Sequence, residues 1–428
     1  MVLNLSAQRS ASIPTQSQGS PDPAQSDSVP LDFDVAIAGA GIVGLTLACA
    51  LQQSGLRIAL IEAQTREMGL RRNRAYAITL LSGRIFDGLG VWDNILPHIT
   101  TFQTIQLSEG TFPEVVNLQP SDLGTPALGY VAEHHVLVRA LQAKLDADGG
   151  INWLCPATLR HADYQPDYVD LTIDLDGEER QVRTRLLVAA DGVRSPIRQA
   201  AGIQTQGWPY WQSCVTAVIR SEIPHGNVAR EHFWPGGPFA TLPLPGNRCQ
   251  IVLTAPHDEA KAWVETSEQA FLEELNRRYS GHLGRLELVG DRFLFPVQLM
   301  QSQRYTQHRL ALVGDAAHCC HPVGGQGMNL GIRDAAALAQ VIQTAAARGE
   351  DIGAVSVLKR YGRWRKLENL VILGFTDFLD RLFSTQWGPV VVVRRTGLWM
   401  MRRIRWMKYL ALRLMTGLSG QSPRIAQR

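Results

Sequence analysis

The stretch DVAIAGAGIVGLTLACALQQSGLRIALIE, residues 34–62, limits the fold of this chain more than any other. A short apolar run (34–39) leads into glycines. A helically periodic segment (44–55) then closes at Gly55, and a second apolar run (57–62) ends in Glu62. Strand, helix and strand in that order make a βαβ unit with parallel strands. Inside it Gly39, Gly41 and Gly44 keep the G-x-G-x-x-G spacing, with Ala40, Ile42 and Val43 between them. The first glycine permits the tight turn, the second lets main chain approach a pyrophosphate, and the third allows close helix–strand packing. The helix N-terminus adds free N–H groups for the phosphates. Glu62 stands where a carboxylate accepts hydrogen bonds from an adenosine ribose. The unit therefore reads as a dinucleotide site, and by itself it does not choose between NAD and FAD.

With 428 residues the chain is expected to hold more than one domain. RLLVAA (185–190) before Asp191 and RLALVG (309–314) before Asp315 read as further strands. Between them, residues 207–300 alternate apolar and polar positions, as in CVTAVIR and CQIVLTA, with PGG and LPGN as turns. That texture predicts an antiparallel sheet. The expected division is a dinucleotide-binding domain over 34–101, 128–206 and 300–347, an inserted substrate domain over 102–127 and 207–299, and a helical region over 348–428. Residues 1–33, rich in Ser, Gln and Pro, cannot bury enough apolar surface to offset ordering entropy and are expected to be a disordered leader. Arg9 is the leader's only basic residue, which argues against a transit peptide. The six cysteines form no C-x-x-C pair and suit a reducing compartment, cytoplasmic or organellar. No apolar run approaches the ~18–20 residues needed to span a bilayer.

Charge is unevenly spread. Beyond Asp380 there are ten basic residues and no acidic one, leaving 32 basic against 39 acidic before that point. Within TGLWMMRRIRWMKYLALRLMTG (396–417), Met400, Ile404, Met407, Ala411 and Leu414 share one helical face, with Arg402, Arg405, Lys408 and Arg413 mostly opposite. Trp399, Trp406 and Tyr409 suit a headgroup boundary. A basic amphipathic helix of this kind is expected to lie on a membrane surface, the other reading being a helix packed on the protein or on the mate in a homodimer. No nucleic-acid recognition motif accompanies the charge.

The stretch VGDAAHCCHPVGGQGMNLGIRDAAAL, residues 313–338, sets two histidines and two adjacent cysteines beside a glycine-rich turn. Adjacent cysteines do not reach one tetrahedral zinc together without a second ligand pair elsewhere, so no metal site is expected. A vicinal disulfide would be strained and would need a redox role. The glycines instead let main chain pass close to a flat ring.

Two motifs carry a family resemblance. LLVAADGVRSPIRQAAG (186–202) resembles the Asp-Gly motif of class A flavin monooxygenases, and residues 310–334 resemble their Gly-Asp motif. The details are most similar to the ubiquinone-biosynthesis hydroxylase subgroup, visible in RAYAITLLSGRIFDGLGVW (74–92), GYVAEHHVLVRAL (129–141) and FWPGGPFATLPLPGNR (233–248). The resemblance covers roughly 33–345. It implies an α/β fold with a discontinuous Rossmann-like FAD domain, an inserted antiparallel substrate domain of the para-hydroxybenzoate-hydroxylase type, and C-terminal helices. It further implies that Gly39 to Gly44 and Glu62 take the ADP half of FAD, with Arg74 near the pyrophosphate or flavin. Asp191 and Arg194 would serve FAD and NAD(P)H, and Asp315 the ribityl chain. Pro322, Gly325, Gly327, Met328 and Asn329 would wrap the flavin edge. His134, a cofactor position, stands where the subgroup usually has Asn or Arg, and Asn73 where an acid is frequent.

The chemistry implied is reduction of FAD by NAD(P)H, addition of O2 to give a flavin C4a-hydroperoxide, and hydroxylation of the aromatic ring of a lipophilic prenylated phenol or quinone precursor. No catalytic base is assigned. His225, His232 and His257 lie in the right region without a signal that marks one of them. The alternatives on this fold are isoprenoid epoxidation and prenyl reduction of the geranylgeranyl-reductase kind. From another class comes a non-catalytic prenyl-lipid carrier resembling GDP-dissociation inhibitors.

Overall fold

In the computed structural model, which describes residues 30–427 apart from 111, 235 and 280, apolar runs too short for helices build the first sheet. The expected leader lies, up to residue 29, outside the described residues. Strands Leu310–Leu312, Glu178–Ala189, Phe33–Ala38, Ile58–Ile61 and Ile151–Leu154 lie side by side in that order, all parallel. Its central strands are buried on both faces, which is why they read as unbroken runs of Val, Ile, Leu and Ala. Glu178–Ala189 changes role midway. Its exposed, charged half pairs antiparallel with Val169–Leu175, while its apolar half enters the parallel sheet.

Helix Ile42–Leu51 is buried almost all round because it sits between this sheet and helix Gly327–Ala346. A short 3-10 turn extends it to Gly55, whose φ of 76° supplies the left-handed stop that the sequence suggests.

The second sheet has eight strands. Thr205–Ser221, Val228–Trp234, Gly237–Leu244, Arg248–Pro256 and Leu286–Ser302 form the expected antiparallel array. Strand Thr104–Glu109 adds in parallel beside Val228–Trp234, Phe112–Leu118 follows at that edge, and His318–Cys319 closes the other. Two helices, His257–Glu265 and Glu268–Tyr279, interrupt the stretch that alternation alone assigns to strands. Phe271, Leu275 and Tyr279 give the second its buried face at four-residue spacing. A third, three-stranded antiparallel sheet joins Ala75–Ile78, Gly129–Glu133 and Thr100–Phe102.

The C-terminal region is helical: Val355–Ser384, Gly388–Arg403 and Arg405–Met415. The single helix expected over 396–417 is corrected to two helices. They part at Ile404, whose φ/ψ of −101°/104° is extended and which makes no side-chain cap. Arg394 fixes the first of them to the second sheet. Its buried guanidinium donates to Glu109 Oε1 at 2.7 Å and to the carbonyls of Phe383 and Thr385. Among the described residues no helix is long and apolar enough to cross a membrane.

Candidate active site

The turn after Phe33–Ala38 is shaped by contacts that only glycine tolerates. Gly39 has φ +108°, and a Cβ there would lie 2.4 Å from the Ala190 carbonyl; one on Gly44 would lie 1.9 Å from Gly39 O. A Cβ on Gly41 would meet nothing within 4 Å, so the turn faces open space where a phosphate would lie. Glu62 braces the turn: its Oε2 accepts from Ala40 N at 2.8 Å and its Oε1 from Gln64 N at 2.9 Å. Ala40, Gly41, Glu62, Arg66, Arg72 and His134 line one small cleft with Trp153. Ile42 is buried, and Val43 packs on the main core.

His134 is held from both sides. Its Nε2 lies 2.9 Å from the Gly69 carbonyl, so that nitrogen donates, and Nδ1 accepts from the Tyr76 hydroxyl at 3.2 Å. Burial first, and then Arg72 and Arg74, drives the ring to a pKa of about 4, so it is neutral at physiological pH.

Arg74 stacks over the Phe295 ring at 4.5 Å and is one of the charges felt by Asp315. Asp315 lies in the turn after Leu310–Leu312. It is solvent-accessible yet walled by protein, hence at the bottom of a concavity, and burial raises its pKa against the pull of His318 and Arg74. Its carboxyl accepts no hydrogen bond from any described residue. An open turn of N–H groups at one end and an unpartnered carboxylate in a cleft at the other suit a ligand with phosphates and a polyhydroxyl chain, which is what FAD presents. Asp191 is placed differently from the rest. Its Oδ2 accepts from Ile197 N at 3.3 Å, below the helix Pro196–Ala200, and its Oδ1 is buried without a partner. Arg198, which sequence reasoning passed over, joins the two motifs by donating to Ala316 O and Val193 O, each at 2.9 Å.

The histidines and cysteines of 318–321 form no joint site. His318 Nε2 lies 2.5 Å from Asp334 Oδ2, whereas His321 Nε2 is 3.5 Å from Asp380 on another helix. All six cysteines are free thiols. Asp334 is the hub: it accepts from Gly314 N at 3.1 Å, from Arg365 Nε at 2.8 Å and from Asn369 Nδ2 at 3.1 Å. Burial alone would raise its pKa, but His318 and Arg365 hold it down at about 2. Asn329 is fully spent on protein, bonding Thr79 N, Ala77 O and Gly325 O, so it staples the glycine turn to strand Ala75–Ile78. Met328 packs half-buried against the core. What these two residues can offer a ligand is main chain. Gly327 opens the helix, at the positive end of its dipole.

Pro322, Gly325 and Gln326 also form one edge of a largely apolar cavity with about 1200 Å³ of free space, mouth included. The second sheet supplies Ala229, Glu231, Ala240, Leu242 and Val252, and the C-terminal helices supply Phe375, Leu379, Leu398, Met401, Leu414 and Met415. Of the three histidines of the sheet region, His225 bonds Leu244 O and Asn227 N, His232 bonds Ser108, and His257 bonds Ser213. None of them lines this cavity.

Comparison with known proteins agrees with this layout. A family model described as an FAD binding domain matches residues 32–368. A protein of Synechocystis is 53% identical, covering 92% of this chain and 95% of its own. Ubiquinone hydroxylase UbiL of Rhodospirillum rubrum is 38% identical, covering 92% of each. Among solved structures, p-nitrophenol 4-monooxygenase of Pseudomonas putida superposes with a TM-score of 0.76 at 19% identity, covering 91% of this chain and 98% of the other. That last likeness concerns the fold.

Proposed function

Because the chain belongs to the FAD-dependent hydroxylases of ubiquinone biosynthesis, we propose that it hydroxylates the aromatic ring of a prenylated phenol or quinone precursor, with NAD(P)H and O2 as co-substrates. The observation that carries this reading is the apolar cavity, which begins at the glycine turn and offers a ring and a prenyl chain a largely apolar lining. FAD, when bound, supplies the redox chemistry: it accepts a hydride and delivers an oxygen atom from O2. The protein's own part is to hold it through the Gly39–Gly44 turn and Asp315, and to keep water from the ring with side chains such as Phe383 and Leu398.

The substrate reading extends to the surface. The cavity's helical wall turns Trp387, Val393, Trp399, Trp406, Tyr409 and Leu410 outward. Arg403 lies 4.2 Å over the Trp399 ring and Arg413 5.7 Å over Tyr409. Aromatic rings beside cations suit the headgroup layer of an anionic membrane, so a lipid-dissolved substrate would meet the protein where its cavity is walled.

Two measurements test the proposal. Purified protein with FAD, NAD(P)H and a prenylated phenol should release a product heavier by one oxygen atom; a product gaining hydrogen instead would mark a prenyl reductase, and a colourless protein that takes up no FAD a carrier. In sedimentation with vesicles, a Trp399→Ala/Trp406→Ala pair should bind anionic lipid at least about tenfold more weakly.

A further inference from the structure

One carboxylate stands in the wall of the apolar cavity. Strand Val228–Trp234 turns Ala229, Glu231 and Phe233 to the cavity, in line with Ala240 and Leu242 of the next strand. Arg230 also borders the cavity, but its guanidinium donates to Gln106 on the adjoining strand, and His232 bonds Ser108. Glu231 is thus the sole carboxylate on the cavity wall, and it has no ion pair and no side-chain hydrogen bond among the described residues. A carboxyl set in an apolar wall costs free energy unless something in the cavity meets it. We propose that Glu231 is the general base of the reaction, taking the phenolic proton of the substrate as the ring is hydroxylated. This deepens the function proposed above and rests on it.

Position supports the assignment. The main chain of Gly324, in the turn expected at the flavin edge, interacts with the Glu231 carboxyl, so the acceptor stands beside the place where the ring must lie. Burial raises the carboxyl to about 7 against that interaction, which puts it near the optimum for a base at neutral pH. The other titratable groups around it are engaged elsewhere: Arg230 and His232 on its own strand as above, Glu109 with Arg394 on the adjoining strand and helix, Asp380 with Ser384 and near His321 on the long helix, and the Cys214 thiol with Thr254. The oxidant is the O2 and reduced FAD of the proposed function, with the second oxygen atom leaving as water. The phenolic O–H bond breaks, the proton passes to the carboxylate, and the electron pair stays on oxygen and enriches the ring. After oxygen transfer the ring carbon loses its hydrogen as a proton to the oxygen that leaves as water, and the phenolic oxygen regains one from Glu231.

The test uses the full chain loaded with FAD, a geranyl-substituted phenol and the methyl ether of that phenol. Dissociation constants and the single-turnover rate of product formation are measured across pH for the wild type, Glu231→Gln and Glu231→Leu, each checked for flavin retention and circular dichroism. The wild-type rate should climb with pH through neutrality. Glu231→Gln should bind the phenol within about threefold of the wild type, since an amide oxygen still accepts. Its rate should fall about 100-fold and lose the climb. Glu231→Leu should lose about tenfold of the preference for phenol over ether. A Glu231→Gln protein that keeps both rate and climb, or a Glu231→Leu protein that keeps the preference, overturns the assignment. Failure of the broader function shows separately, as absence of oxygenated product from the wild type.

Discussion

At the Gly39–Gly44 turn main-chain groups face the ligand space, whereas in the apolar cavity most facing atoms belong to side chains. The turn is made within one βαβ unit by residues close in sequence, braced by Glu62. The cavity draws on strands 104–118 and 228–256, the 322–326 turn and three helices beyond residue 355. A main-chain cradle tolerates side-chain change except where a Cβ cannot fit. A side-chain cavity is retuned by single substitutions. The difference separates a region suited to one constant cofactor from a region suited to choosing a substrate.

That contrast can be broken first where the two regions share a foundation. Asp334 anchors Gly314 beside Asp315 and, through His318 and Arg365, ties the glycine turn to the long helix. Asp334→Asn should cost about 3–5 kcal/mol in denaturant titration, because the buried Arg365 loses its fully buried partner and keeps only the part-exposed Glu368. Flavin retention and phenol binding should fail together; loss of only one would show that the regions stand independently.

Ala240→Phe fills the cavity from the sheet side. An overpacking effect of about 1–3 kcal/mol should weaken prenylated-phenol binding at least about tenfold while flavin is retained, read by fluorescence titration. His134→Ala sharpens the opposite arm. Two hydrogen bonds are lost at about 1 kcal/mol each or less, so flavin affinity should fall severalfold and phenol binding should not move.

The smallest effect is a pH slope. Burial keeps His134 and His321 neutral in the fold, at about 4 and about 3. Their contribution is complete above the unfolded value of about 6.5 and is lost as the pH falls toward those folded values. Thermal midpoints should therefore drop on acidification below that point, and His134→Asn, which cannot titrate, should flatten part of the drop.

The dinucleotide end was legible because its physics is local: a turn, a helix start and a terminal acid within 34–62. The two helices of 257–279 were hidden by strand alternation on both sides of them, although Phe271, Leu275 and Tyr279 carry helical spacing. The break at Ile404 was hidden because apolar periodicity runs through a single extended residue with little change of phase. Arg394 looks like one more cation of a basic tail, and only packing shows its pairing with Glu109. Glu231 is the furthest from view. In REHFW an acid between Arg and His reads as a solvent-side position, and the cavity that changes its meaning is closed by residues more than 90 positions away.

The helical wall of the cavity is secured at both ends. Before it, Arg365 and Asn369 bind Asp334. After it, Leu81 N reaches Thr416 O, Gln421 N reaches Glu368 Oε1, and residues 424–427 press on Gly88 so closely that a Cβ there would lie 1.8 Å from Ile425 O. Mechanically this is a strap buckled at each end and riveted to the sheet between them by Arg394 on Glu109 and by Lys408 on Asn117 O. A wall so fastened does not open like a hinged flap, so a long apolar ligand of the kind proposed above would lie beneath it along its length.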